Sequence, residues 1–183
     1  MDKLPYNKRI IAAIRNYLDE NGIHYSFDAD GGRFLFAVKL NGALDKAYYL
    51  IFVLDEDFVV YANAGEFADS KNKAVMKELS DFIHLINPRI LKGNFELDID
   101  KGAVTFKCFV NCCGITPNRK KIENSIGLPV YMLEKYGTCI SDIIYGRTTA
   151  RKAFAECNDI PFAESRENIG ISVGRSTDRV LFS

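Results

Sequence analysis

The sequence has no tryptophan, only two histidines (His24 and His84), and no excess of either charge: Lys+Arg and Asp+Glu each number 24 in 183 residues. Each shortage narrows the function. Nucleic-acid binding normally leaves a basic excess or stripe, and there is none here, so no nucleic-acid partner is expected. No stretch approaches the run of about 18 apolar residues that a membrane-spanning helix needs, so no membrane partner is expected. The N-terminal Met-Asp-Lys-Leu-Pro-Tyr lacks the basic-then-apolar order of a secretory signal, and a cytoplasmic location follows as the expectation. Nucleophilic catalysis needs a Ser or Cys beside a base, and neither histidine adjoins a candidate nucleophile in sequence.

Five cysteines, Cys108, Cys112, Cys113, Cys139 and Cys157, are an odd number in irregular positions. An extracellular disulfide framework would use even, spread-out pairs, so reduced thiols are expected. Structural zinc wants four ligands, usually in Cys-x2–4-Cys pairs. The cluster at 108–113 lacks a second pair, because Cys139 and Cys157 stand alone. Cys108 and Cys112 are expected on a core face with Phe106 and Val110, with Cys113 turned outward. No cofactor, metal or catalytic residue is assigned.

The 13 phenylalanines and 9 tyrosines suit a sheet-rich core. The clearest pattern is a hairpin from Gly93 to Cys113, alternating apolar and polar on both sides of Asp100-Lys-Gly102. With the turn at Lys101-Gly102, Ile99 is expected opposite Val104, Leu97 opposite Phe106 and Phe95 opposite Cys108. Asp98 then faces Thr105 and Glu96 faces Lys107 on the polar side. Glu96, Asp98 and Asp100 read as a solvated face.

Residues 5–21 predict a helix, with Ile10, Ile11, Ile14, Tyr17 and Leu18 at helical spacing. Four strands follow: about 24–28, 34–40, 48–54 and 58–63, joined by polar turns. The third, Tyr48 to Leu54, is continuously apolar and suggests cover on both faces. Asp28-Ala-Asp-Gly-Gly resembles the start of a calcium loop, but Arg33 and Lys39 stand where that loop needs Gly and Glu, so it is a turn. Residues 71–87 predict a second helix capped by Asp69 or Ser70. Its apolar arc spans roughly 200°, about twice what packing on one surface needs. Either a partner meets it through Met76, Leu79 and Ile83, or the chain buries it more deeply itself. A third helix is expected from Thr116-Pro117 to about Tyr145, with a kink or break near Ser125 caused by Pro129. Arg151 to Cys157 extends it or adds a short helix. Gly170-Ile-Ser-Val-Gly-Arg-Ser is too short and lacks the lysine for a phosphate loop. Residues 158–183 read as a C-terminal extension, either a short hairpin or a mobile tail.

The order helix, four strands, helix, hairpin, long helix, with Asn87-Pro88 closing a helix before Gly93-Asn-Phe-Glu-Leu-Asp-Ile-Asp-Lys-Gly-Ala-Val-Thr-Phe, resembles the YbjN domain family over roughly residues 4–147. Those domains are similar in fold to type III secretion chaperones, which are usually shorter and acidic. The resemblance implies no catalytic residues. It implies a sensory-regulatory or interaction role, often with a dimer built partly on the middle helix.

The expectation is therefore an α+β domain over residues 1–157, with one antiparallel sheet in the order α-ββββ-α-ββ-α. Its expected function is a non-enzymatic, homodimeric interaction or regulatory module. The alternatives are a secretion-type chaperone for an extended peptide and, behind it, a cysteine-dependent metal or redox protein.

Overall fold

The computed structural model of the protein describes residues 6–158. Helix α1 (Lys8–Glu20) puts Ile10, Ile14 and Leu18 into the core, and the Asn7 side chain caps its first amides. The meander that follows is β1 (Tyr25–Asp28), β2 (Arg33–Lys39), β3 (Lys46–Val53) and β4 (Asp57–Asn63). Asp28 Oδ1 accepts from the amides of Asp30 and Gly31, so the calcium-loop-like segment is the β1–β2 turn. Helix α2 (Lys73–Ile86) is capped by Asn72 rather than by Asp69 or Ser70. Asp69 instead accepts from the amide of Lys71, within the turn before the helix. A single 3-10 turn at Asn87–Arg89 ends α2 and leads to β5 (Asn94–Asp98) and β6 (Ala103–Asn111).

All pairings are antiparallel, in the order β1-β2-β3-β4-β6-β5. β6 enters beside β4, and β5 becomes an edge. The fold is α+β, one open six-stranded antiparallel sheet with four helices. Alternate residues of the inner strands, among them Phe36, Tyr49, Val60 and Phe106, pack into one core with α1, α2 and the third helix.

The hairpin register differs from the expected one by two residues. Leu97 pairs with Val104, Phe95 with Phe106, Glu96 with Thr105 and Asp98 with Ala103. Asp98 causes the shift: its Oδ1 accepts from the amides of Asp100 and Lys101, and its carbonyl accepts from Gly102. The loop is therefore four residues long, and Ile99 sits in it, 70 % exposed. Gly102 has φ +68°, and a Cβ there would lie 2.0 Å from the Ala68 carbonyl oxygen, so only glycine fits. A slip of two residues leaves each side chain on its predicted face.

Helix α3 (Arg119–Ile144) starts at Asn118, whose side chain caps it, and not at Thr116. It runs unbroken through Pro129. Buried Tyr49 of β3 accounts for this. Its hydroxyl donates to the Ile126 carbonyl at 2.7 Å and accepts from the backbone N–H of Val130. The hydroxyl thus bridges a ladder position next to the proline, where the helix would otherwise open. Helix α4 (Ala150–Asn158) is separate from α3 and packs on both α2 and α3. The C-terminal extension lies outside the described residues beyond Asn158.

Candidate functional site

β3 is apolar on both faces, but the described residues cover only one. Ala47, Tyr49, Ile51 and Val53 are buried, whereas Tyr48, Leu50 and Phe52 are half-buried on the side away from the helices. The cover expected for both faces is absent among the described residues. Neighbouring strands extend the patch in two register rows. One runs Arg33–Phe52–Val59–Phe109, the other Leu35–Leu50–Tyr61–Lys107. Phe52 and Tyr61 meet edge-to-face at 6.0 Å. Arg33 lies over the Phe52 ring and Lys107 over Tyr61. Phe109 stands 54 % exposed at the end of its row.

Charge is uneven around this band. Arg33, Lys39 and Lys46 lie on the β2–β3 side, with Lys39 directly opposite Lys46. Glu96 and Asp98 lie on β5, at the far side. Lys107 reaches diagonally to Glu96, Nζ to Oε1 3.1 Å, and this hydrogen bond raises the lysine's pKa. Asp98 serves the turn.

The β5 edge is the second feature. Asn87, at the end of α2, donates from Nδ2 to the Phe95 carbonyl at 2.9 Å and accepts the Phe95 N–H at 2.8 Å. Phe95 therefore turns both backbone groups away from β6, and Leu97, two residues on, turns its own the same way. Beside Leu97 is a shallow pocket of about 380 Å³, lined by Ser80, Ile83, His84, Asn87, Pro88 and Leu97.

Of the two readings of α2, deeper burial by the same chain is the one found. Met76, Leu79 and Ile83 are 9 %, 0 % and 8 % exposed, so this chain buries them itself. Two neighbours fill the wide arc. The Ile83 flank meets β5, with Ile83 and Leu97 sharing the pocket wall. On the opposite flank α4 closes in, with the amide of Ala150 donating to Glu78 Oε2 at 2.7 Å.

Cys108 and Cys112 are buried as expected, Cys113 is exposed, and burial pushes the first two thiols up in pKa. Cys113 Sγ lies 2.8 Å from Asn111 Oδ1. The expectation that Cys139 and Cys157 stand alone does not hold. They lie 18 residues apart on α3 and α4, and packing of the two helices joins them in a disulfide. No spacing rule for one strand or one helix would have found this pair. His24 and His84 are exposed on separate elements. Among the described residues no three His, Cys, Asp or Glu side chains group as metal ligands. No described helix is long and apolar enough to cross a membrane.

Among the described residues these features define an α+β domain with one covered and one uncovered sheet face and a partly free strand edge. Comparison with protein-family models, with curated proteins and with solved structures finds no match.

Proposed function

We propose that the chain is a non-enzymatic protein-interaction or sensory-regulatory module of the YbjN kind, cytoplasmic and homodimeric, and that two copies meet through the open face of the sheet. The observation that carries this reading is the uncovered apolar band centred on Leu50, Phe52, Tyr61 and Phe109. Contiguous exposed apolar surface of this kind marks interaction sites in stable proteins. A second copy is the occupant because the face is self-complementary in charge. A twofold axis along the strands lays the basic β2–β3 side of one copy over the acidic β5 side of the other. The dimer surface moves from Met76, Leu79 and Ile83 to the sheet, since those three are already buried.

Light scattering over a range of concentrations tests this. The wild-type chain should be a dimer, and Leu50→Asp with Phe109→Asp a folded monomer. A wild-type monomer at high concentration refutes the reading.

The β5 edge favours a second reading, the holding of an extended peptide. Strand addition at Leu97 would supply main-chain hydrogen bonds, and the adjoining pocket would take an apolar side chain. Leu97→Pro removes the outward N–H without touching the ladder to β6. It should abolish binding of a labelled apolar peptide that Leu97→Ala still binds. Equal binding by both variants excludes the edge.

A further inference from the structure

We propose that α4 is a redox-latched strap over the seam between α2 and α3, held shut by the Cys139–Cys157 disulfide and released when the bond is reduced. This goes beyond the interaction role above and does not depend on it.

Helix α4 is a short element packed on α2 and α3. It is nine residues long, too short to be stable as an isolated helix. Its buried side chains are small: Ala150, Ala153 and Cys157, with Phe154 partly buried against the core. Three of its contacts lie at its two ends and its middle. At its N-terminal end the Ala150 amide donates to Glu78 on α2. In its middle Phe154 lies beneath the Arg89 guanidinium, 4.7 Å from ring centroid to carbon. At its C-terminal end Cys157 is bonded to Cys139 on α3. Of the three, only the disulfide is covalent, and it sits at the end farthest from the connection to α3.

That connection is built to turn. α3 ends at Tyr145, and Gly146 follows with φ +67°. The hydroxyl of Thr148, in the same short link, is buried without a hydrogen-bond partner. The link is therefore incompletely satisfied in the closed position. The Cα atoms of the two cysteines are 7.3 Å apart. Beneath the strap lies the Glu78 flank of α2, which also carries Leu85. Cys108 is buried in β6, and Cys112 and Cys113 follow the end of that strand, so none of them belongs to the latch.

The redox step is a thiol–disulfide exchange with a dithiol. The dithiol's first thiolate attacks one sulfur of the pair and displaces the other cysteine as a thiolate. The second thiol then closes the dithiol's own disulfide and expels the remaining cysteine. Two electrons and two protons pass to Cys139 and Cys157, and the dithiol is oxidised.

Hydrogen exchange on the full chain tests the latch, after treatment with oxidised or with reduced dithiothreitol. Alkylation of the unfolded protein, read by mass spectrometry, reports the state of each cysteine. With Cys139 and Cys157 reduced, amides of residues 150–158 should exchange at least about tenfold faster, while those of the six strands stay unchanged. Cys139→Ser should match the reduced protein with or without the dithiol. Two results overturn the proposal: equal exchange of 150–158 in both states, or free alkylation of Cys139 and Cys157 after the oxidising treatment.

Discussion

Phe106 and Phe109 stand three residues apart in β6 and face opposite sides of the same sheet. Phe106 is fully buried, packed edge-to-face on Phe95 under the helices. Phe109 is more than half exposed, at the end of a row of apolar side chains with no helix above it. The same contrast recurs two strands over, where Ile51 is buried and Leu50 is not. The two faces are alike in chemistry and differ in what covers them. One face is packed under the helices, and the other has none of the described helices over it.

Substitutions that treat the faces alike should break the symmetry of chemistry and reveal the asymmetry of role. Phe106→Ala should cost about 3–5 kcal/mol in urea unfolding, as a large core truncation does. Leu79→Asp, which places a charge at a fully buried site of α2, should prevent folding rather than yield a monomer, as circular dichroism would show. Tyr49→Phe should cost about 1–3 kcal/mol, because the Ile126 carbonyl and Val130 amide beside Pro129 lose the hydroxyl that joins them.

The same tyrosine predicts a pH dependence. Burial pushes its pKa well above the usual value near 10. The folded state therefore keeps a proton that the unfolded state gives up. Its contribution to stability is complete below pH 10 and is lost as pH rises beyond it, so Tyr49→Phe should flatten the alkaline fall in stability. On the open face the effects should be smaller for folding. Phe109→Ala should change monomer stability by no more than about 0.5 kcal/mol, yet weaken dimerisation measurably in sedimentation. Glu96→Lys should have the smallest effect, a few-fold loss of association that fades as salt is raised.

Much of the architecture was legible in the sequence because it rests on period. Alternation in Phe34 to Lys39 and in Phe95 to Phe106 placed each side chain on its face, and helical spacing located Ile10, Ile14 and Leu18. Features that depend on a single hydrogen bond were harder to read. The hairpin register slipped by two because Asp98 caps a four-residue loop, and alternation is blind to a shift of two. α3 survives Pro129 because of a hydroxyl 77 residues away in sequence. The candidate surface was half legible. The continuous apolar run of β3 suggested cover on both faces, and among the described residues only one face is covered. The wide arc of α2 signalled a second neighbour too, but that neighbour is α4 of the same chain. Nothing in the local pattern of Met76, Leu79 or Ile83 distinguishes a helix of the same chain from a partner.

Asn87 has a consequence for the lifetime of the protein in concentrated solution. An edge strand with every outward N–H and C=O free is a template on which other chains can stack, strand after strand. By taking both backbone groups of Phe95, the Asn87 amide acts as a one-residue false neighbour and breaks that template near the start of β5. A single guest strand can still lodge at Leu97, but a growing fibril finds no continuous edge to copy. An alanine in place of Asn87 would leave the fold's faces as they are and shorten the time before the protein precipitates.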